Sequence, residues 1–213
     1  MRAHFFDMDG TLLRGTSAPL LVAATLGKGD ILRSLEERFA SGALSAADFG
    51  RTLHAEWGLV PATAARDAFD GAPLVSHIDE VVGDIHARGE RACMITMSPD
   101  YFAEHFLEFG FDAVFSSRFP RDEATPFDAA AILNPHDKPR LATQFCREHG
   151  LDIAEAVAYG DSMSDVPLFD AVGFRVSING DHHLQDRCDV EIRSEDLRDA
   201  YAVARRWCDG AEA

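Results

Sequence analysis

Two acidic residues lie close together near the start of the chain, in the sequence Asp7-Met8-Asp9-Gly10-Thr11. They follow a short apolar run at residues 2–6, which predicts a buried strand. The carboxyl ends of parallel strands form the crevice in which α/β sheets bind ligands. Two carboxylates spaced i, i+2 on extended chain point the same way, so they could hold a hard cation. They could also divide the chemistry, with one attacking and the other moving a proton.

Three other interpretations of this pentapeptide are weaker. An EF-hand calcium loop that began at Asp7 would need Gly at position 6 and Glu at position 12, where this chain has Leu12 and Ala18. A D-x-D motif of a nucleotide-sugar transferase usually lies deeper in a longer chain. An Asp-Gly surface turn is the third alternative, and the other acidic residues of the chain argue against it.

A second acidic group has the sequence Gly160-Asp161-Ser162-Met163-Ser164-Asp165 and directly follows a predicted strand at 156–159. If that strand lies in the centre of the sheet, Asp161 and Asp165 reach the same edge as Asp7. Clustered carboxylates repel one another unless a cation neutralises them. The cluster therefore predicts a divalent metal, and its hard oxygen ligands favour Mg²⁺.

Three further residues are candidate phosphate contacts. Lys138 is one of only two lysines among 20 basic residues, and the compact charge of lysine fits a crowded anionic pocket better than the planar group of arginine. An ordinary surface lysine is the alternative. Thr96 follows a predicted strand at 91–95, and a hydroxyl beside a helix N-terminus is a natural phosphate contact. Ser98 is predicted to cap the helix that begins at Pro99.

The elements that position these residues alternate along most of the chain. Apolar runs predict strands at 2–6, 91–95, 111–115, 156–159 and 174–178, and helical patterns include 99–109 and 139–149. Such alternation predicts a parallel sheet covered by helices on both faces. Residues 14–73 break the rhythm, because they contain only helical patterns, at 20–26, 31–40, 46–57 and 62–69. We therefore predict an α/β core formed by residues 1–13 and 74–213, with an all-helical insert at 14–73 after the first strand.

The composition limits the partners and the compartment. The 213 residues carry 36 acidic and 20 basic side chains, a net charge of −16, which argues against nucleic acid or an anionic membrane as a partner. No apolar run approaches the ~20 residues of a membrane span, and no signal peptide is readable. The four cysteines have no C-x-x-C or C-x-x-H spacing, so free thiols in the cytoplasm are expected.

The order of these residues resembles the haloacid dehalogenase superfamily, whose four motifs occur here in sequence: Asp7-x-Asp9-Gly10-Thr11, Thr96, Lys138 and Gly160-Asp161-x-x-x-Asp165. The resemblance covers nearly the whole chain. The helical insert after the first motif, together with residues 95–100, is similar to the phosphoserine-phosphatase-like branch. The resemblance implies a Rossmann-like sheet, a helical cap domain, Mg²⁺ and an aspartyl-phosphate intermediate.

The resemblance also implies roles for the individual residues. Asp7 would attack phosphorus, and Asp9 would protonate the leaving oxygen and then take a proton from water. Thr96 and Lys138 would hold the phosphoryl oxygens, with Ser98 beside them. This division agrees with the physics of phosphoryl transfer, which depends mostly on positioning and charge neutralisation.

The same resemblance implies the metal ligands. Asp7, Asp161 and the backbone carbonyl of Asp9 would bind Mg²⁺. Asp165 and Thr11 would act just behind these ligands, and Asp165 would order Lys138 or a metal-bound water.

The expected activity is hydrolysis of a small-molecule phosphate monoester. Asp9 favours a phosphatase or a phosphomutase, because dehalogenases and phosphonate hydrolases of this superfamily lack an acid at that position. Two alternatives stay open, a phosphomutase or phosphotransferase and, less favoured, a non-catalytic phosphoacceptor domain. The second lysine, Lys28, is expected to be an exposed residue.

The substrate is less well defined. Phosphoserine phosphatases carry a Glu near the position of Thr16 that binds the substrate amine, and their Arg for the substrate carboxylate has only Arg51 as a candidate here. Arg51, His54 and Trp57 could line a pocket, although Trp57 and Phe49 fit equally well into the core of the insert. His182 and His183 are expected in an exposed loop.

Overall fold

The apolar run that precedes Asp7 is a central strand of a parallel sheet. The computed structural model describes residues 1–29 and 31–210. All strand pairs are parallel, and the strand order is β3-β2-β1-β4-β5-β6. The strands are β1 (Ala3–Phe6), β2 (Arg91–Pro99), β3 (Ala113–Ser117), β4 (Val157–Gly160), β5 (Phe174–Ile178) and β6 (Val190–Ile192). The predicted Rossmann-like α/β fold is confirmed.

Helices cover both faces of this sheet. The α-helices are α1 (Ala18–Leu26), α2 (Leu32–Ala40), α3 (Ala46–Trp57), α4 (Ala62–Asp70), α5 (Ile78–Ala87), α6 (Asp100–Ala103), α7 (Asp137–Glu148), α8 (Val166–Phe169) and α9 (Leu197–Cys208). Short 3₁₀ turns occur at Glu104–Phe109, Ala129–Ala131, Ile153–Glu155 and Met163–Asp165.

The two faces of the sheet belong to two separate apolar clusters, because side chains alternate along a strand. In β1, Phe5 packs into the cluster that contains Leu141 and Phe145 of α7, whereas Phe6 packs into the larger cluster on the opposite face. The ring of Phe6 stacks on Tyr159 of β4 with the centroids 4.3 Å apart. Both faces of β1 are therefore buried, which fixes the position of the loop that begins at Asp7.

The four helices α1–α4 leave the sheet region after β1 and return to it before α5. The two connecting segments lie side by side: Leu13 forms an antiparallel bridge with Leu74, and the Val75 N–H donates to the Leu12 carbonyl at 2.9 Å. Helices α1 and α3 begin at the serine caps Ser17 and Ser45. Residues 14–73 are thus helical and contain no named strand within their described part, while their division from the core as a domain stays a prediction.

The predicted elements differ most from the structure at β2, β3 and β6. Strand β2 continues to Pro99, so the predicted helix at 99–109 is only the short α6 followed by a 3₁₀ turn. Strand β3 begins two residues later than predicted. Strand β6 was not predicted, because it has only three residues and Glu191 between its two apolar residues is exposed.

Two predictions about the compartment can be compared with the structure. All four cysteines are free thiols, and three of them are buried. Within the described residues, none of the helices has the length and apolarity that crossing a bilayer requires.

Candidate functional site

The carboxyl ends of two adjacent central strands bring the predicted acidic residues together. Asp7 follows β1 and Asp161 follows β4, and the Asp7 N–H donates to the Tyr159 carbonyl at 2.9 Å. Carboxylate oxygens of Asp7, Asp161 and Asp165 lie within 4.8 Å of one another. Thr11 is buried beneath them, with its hydroxyl 3.5 Å from Asp7 Oδ2. The predicted convergence of the two acidic groups is present in the structure.

Lys138 lies at the centre of this group. It is the second residue of α7 and only 1% exposed. Its Nζ donates to Asp7 Oδ1 and to Asp165 Oδ1, both at 2.6 Å. Burial by itself would lower the pKa of Lys138, but the charges of Asp165 and Asp7 raise it above its ordinary value. An ordinary surface lysine is therefore excluded.

Asp165 uses both of its oxygens to hold neighbouring groups. Besides the contact of Oδ1 with Lys138, its Oδ2 accepts the backbone N–H groups of Asp161 at 3.0 Å and of Ser162 at 3.2 Å. Its side chain leaves no space next to Gly160, since a Cβ there would stand 2.4 Å from the Asp165 Cγ. Asp165 thus positions both the ammonium group and the loop that carries Asp161.

Asp161 is the member of the cluster to whose charge the described residues supply no partner. Its Oδ1 is buried without a hydrogen bond. Its other oxygen points at Gly10, where a Cβ would stand only 1.9 Å away. Burial raises the pKa of Asp161 to about 9, and the charges of Asp7 and Asp165 add to this effect. A buried oxygen without a donor, beside other carboxylates, is the environment that a hard divalent cation fits.

Asp7 also has an elevated pKa. Burial raises the pKa of Asp7 to about 7, although the Lys138 charge opposes this shift. The single buried ammonium group therefore cannot balance the carboxylates around it when all of them are ionised, and the raised pKa values of Asp7 and Asp161 express this imbalance. This imbalance is the electrostatic reason to expect a cation at the site.

Asp9 is held by groups from two different elements. Its Oδ1 accepts the backbone N–H of Ala18, the first residue of α1, at 2.6 Å. Its Oδ2 accepts the hydroxyl of Ser98 at 2.5 Å. Burial raises the pKa of Asp9 to about 6, while these two hydrogen bonds lower it. The helical segment is thus joined directly to the side chain of the second acid of the motif.

An irregular end of β2 positions the two predicted hydroxyl groups. The register of β2 with β3 shifts between Ile95 and Pro99, a feature that often re-aims side chains next to functional sites. Thr96 is buried, and its Oγ1 accepts the Ser98 N–H at 3.1 Å. The prediction that Ser98 caps the following helix is wrong, because Pro99 is the cap residue and the Ser98 hydroxyl binds Asp9.

A cavity of about 320 Å³ opens in front of these residues. At one end lie Asp7, Asp9, Thr96, Ser98 and the serines of the loop after β4. The other walls are mostly apolar and come from α1, α2, α3, the end of β2 and the segment that follows β3; they include Pro19, Phe39, Phe49, Leu53, Met97, Phe119 and Ile132. The cavity therefore joins an anionic end to an apolar chamber.

The residues proposed from the sequence to line a pocket in the insert do not line this cavity. Arg51 is exposed and pairs with Asp48, His54 stacks on Phe127, and Trp57 is buried in the core. Phe49 packs against that core, as expected, and it also lines the cavity. The packing of α3, which the sequence does not specify, determines which of these four side chains faces the cavity. Lys28 is exposed, as expected, and donates to the carbonyls of Glu56 and Trp57.

Sequence reasoning missed two groups of the cavity. Glu36 of α2 contributes a carboxylate to its lining, and Ser17 donates to Glu36 Oε1 at 2.6 Å. Asp181 and His183 also line it; they are exposed, as expected for this loop, and lie with His182 in a small cluster. The amphipathic pattern of α2 indicates that one face of the helix is covered, but it does not indicate that this face borders a cavity.

Comparison with known proteins places this fold and site in a family. A sequence model of the haloacid dehalogenase-like hydrolases matches residues 4–170. A phosphoserine phosphatase from Halobacterium salinarum is 29% identical over 196 residues, which cover 90% of this chain and 92% of the relative. One from Methanocaldococcus jannaschii is 20% identical over 200 residues, which cover 91% of this chain and 93% of that protein.

Solved structures share the fold. A substrate-bound phosphoserine phosphatase has a TM-score of 0.81 and 17% identity, with 95% of this chain and 97% of that one covered. A phospho-aspartyl intermediate analogue of phosphoserine phosphatase has a TM-score of 0.80 and 18% identity, with 95% and 98% covered.

The chain belongs to the haloacid dehalogenase-like hydrolase family. The predicted likeness to the phosphoserine-phosphatase branch and the predicted enzyme class, a phosphoric monoester hydrolase, are confirmed.

Replacement of Asp161 by Asn should stabilise the metal-free protein by about 1–3 kcal/mol, because it removes a buried carboxylate that lacks a partner. The folded protein binds the Asp161 proton up to about pH 9, far above the usual pKa of an aspartate. Stability of the wild type should therefore fall as the pH rises from 4 to 9, and the advantage of Asp161→Asn should grow over the same range.

Thermal unfolding in the presence of a chelator measures this effect, and Asp186→Asn at an exposed site is the control. Mg²⁺ should then raise the melting temperature of the wild type and of the control but not that of Asp161→Asn. A destabilised Asp161→Asn protein would contradict the charge imbalance.

Gly10→Ala should reduce the hydrolase activity by on the order of 100-fold or more, because the added methyl group would displace the Asp161 carboxylate. Gly15→Ala is a matched control: both residues have positive φ, 78° and 62°, but a Cβ at Gly15 meets nothing within 4 Å. Both variants should lose about 1–2 kcal/mol of stability from backbone strain. Equal activities of the two variants would show that Gly10 serves only the turn.

Proposed function

We propose that this enzyme hydrolyses the phosphate monoester of a small molecule in the cytoplasm, with Mg²⁺ and through a phosphoryl group carried on Asp7. The observation that supports this best is the buried contact of Lys138 with Asp7 and Asp165 beside the unpartnered oxygen of Asp161. A phosphoryl group and a carboxylate are both anions and repel each other. Positive charge held beside the buried carboxylate at the end of the cavity reduces this repulsion and lets the phosphoryl group approach.

In the first step, Asp7 attacks phosphorus and the bond between phosphorus and the ester oxygen breaks. Lys138 donates to one Asp7 oxygen at 2.6 Å, which orients the carboxylate and leaves its other oxygen for attack. The ammonium group and the Thr96 hydroxyl stabilise the charge that spreads over the phosphoryl oxygens. Thr96 lines the cavity and is only 1% exposed.

Asp9 moves the protons of both steps. It gives a proton to the departing ester oxygen, and then takes one from the water that attacks phosphorus and releases the Asp7 carboxylate with inorganic phosphate. Its pKa of about 6 suits a group that must act as acid and then as base near neutral pH. Ser98 and the Ala18 N–H hold the carboxylate in place, so we assign to Ser98 the positioning of Asp9 in addition to the predicted contact with phosphate.

The metal would be held by the carboxylates of Asp7 and Asp161 and by the backbone carbonyl of Asp9. When bound, Mg²⁺ supplies positive charge that offsets the carboxylates and draws charge from the phosphoryl oxygens. Asp165 keeps the Asp161 loop and Lys138 in position through the three hydrogen bonds that its carboxylate accepts.

Residues 14–73 serve as a cap over this site. The support is that α1, α2 and α3 contribute much of the apolar lining of the cavity and that the Ala18 N–H binds Asp9. Exclusion of water by such a cover protects the phosphoryl group on Asp7 until the alcohol has departed.

Hydrolysis is preferred over transfer to a second alcohol because the Asp9 carboxylate borders an open cavity that water can enter after the alcohol departs. A phosphomutase, the main alternative, would return the phosphoryl group to a second substrate hydroxyl. A non-catalytic phosphoacceptor has no use for an acid such as Asp9 next to the acceptor.

Steady-state release of inorganic phosphate from p-nitrophenyl phosphate tests the proposal. We expect turnover that requires Mg²⁺, a loss on the order of a thousandfold or more in Asp7→Asn and a loss of roughly 100-fold or more in Asp9→Asn. Asp186→Asn, at an exposed position, should retain full activity. A single burst of nitrophenol without continued phosphate release would indicate a phosphotransferase, and full turnover in Asp7→Asn would overturn the assignment of the nucleophile.

A further inference from the structure

The wall of the cavity formed by α2 and α3 combines one carboxylate with two aromatic rings. Glu36 and Phe39 are separated by one turn of α2, and both line the cavity. Phe49 of α3 lines it as well, and its ring centroid lies 5.7 Å from that of Phe39. The three side chains are half-buried. A carboxylate beside aromatic faces is an arrangement that attracts an organic cation.

The charges of the cavity also favour a cation. Its carboxyl-bearing residues are Asp7, Asp9, Glu36 and Asp181, whereas none of the described residues that line it is lysine or arginine. Lys138 stands behind Asp7 and is already paired with two carboxylates. His183 is the one basic side chain of the described lining, and it pairs with Asp181. Glu36 itself accepts a hydrogen bond from Ser17 and has no ion-pair partner among the described residues.

Glu36 lies close to the position where the ester oxygen would depart. The two residues Ser17 and Ala18 connect it to Asp9: the Ser17 hydroxyl donates to Glu36, and the next backbone N–H, that of Ala18, donates to Asp9. A cationic group held by Glu36 would therefore be separated from the ester oxygen by only a short carbon chain.

We propose that, given the phosphatase function proposed above, the substrate is the phosphate ester of a short amino alcohol that carries an ammonium group and no carboxylate. The ammonium group is held by the Glu36 carboxylate and the faces of Phe39 and Phe49. A carboxylate on the same alcohol would leave water for a chamber that offers it no cationic side chain, and this desolvation is costly. The cavity therefore selects amino-alcohol phosphates over amino-acid phosphates.

Two pairs of compounds separate the two parts of this proposal. Phosphoethanolamine and phosphoserine differ only by a carboxylate, and we expect kcat/KM to be roughly tenfold or more higher for phosphoethanolamine. Phosphocholine and 3,3-dimethylbutyl phosphate have the same shape but differ in the positive charge, and we expect kcat/KM to be roughly tenfold or more higher for phosphocholine.

The Glu36→Gln variant tests the assigned residue, and Glu37→Gln on the exposed side of the same helix is its matched control. Glu36→Gln should reduce the preference for phosphocholine over its neutral isostere to near unity, with turnover of the neutral compound little changed. Glu37→Gln should keep the wild-type preference. The glutamine can still accept the Ser17 hydrogen bond, so α1 should keep its position. If α1 were nevertheless disturbed, the activities toward phosphocholine and toward its neutral isostere would fall together, and their ratio would not change.

The outcomes distinguish this proposal from the proposed function. If no ester, including p-nitrophenyl phosphate, releases phosphate, the proposed function fails. If the esters are hydrolysed but phosphoserine is preferred, or if Glu36→Gln leaves the ratio of phosphocholine to its isostere unchanged, the substrate assignment is wrong while the phosphatase function stands.

Discussion

Lys138 donates to Asp7 and Asp165 at 2.6 Å in a place where water hardly reaches any of the three side chains. Its one positive charge faces those two carboxylates and a third, that of Asp161, which has a buried oxygen without any donor. Burying charges is unfavourable unless each of them finds a partner. When all three carboxylates are ionised, the cluster therefore has too little positive charge, and a divalent cation would supply what is missing.

The rest of the fold keeps this unfavourable cluster together. Strand β1 is buried on both faces, so the loop that starts at Asp7 has no freedom to move away from the end of β4. Gly10 permits the close approach of Asp161. Lys138 lies at the start of α7, which packs on the face of the sheet that carries Phe5. The helices after β1 add the apolar walls, and through the Ala18 N–H they also contact Asp9. The short segment of Ser17 and Ala18 thus touches both the cavity and the Asp9 side chain.

The core of the site could be predicted from the sequence because the geometry of a parallel sheet leaves little choice. Residues that directly follow central strands must meet at one edge, so Asp7 and Asp161 converge although more than 150 residues separate them. Glu36 could not be found in this way, since the face that α2 turns toward the cavity depends on its packing and not on its own pattern. The Ser98 hydroxyl was misassigned for a similar reason: the register shift after Ile95 extends the strand and turns that side chain to Asp9.

A crystal structure of the protein with Mg²⁺ and beryllofluoride, a mimic of a phosphoryl group, would show whether Asp7 carries the phosphoryl group. We expect the beryllium to be bonded to a carboxylate oxygen of Asp7, with Lys138 and Thr96 on its fluorides and Mg²⁺ held by Asp7, Asp161 and the Asp9 carbonyl. Beryllofluoride bound elsewhere, or Mg²⁺ found at the exposed Asp181, His182 and His183 cluster with Asp161 still unpartnered, would contradict it.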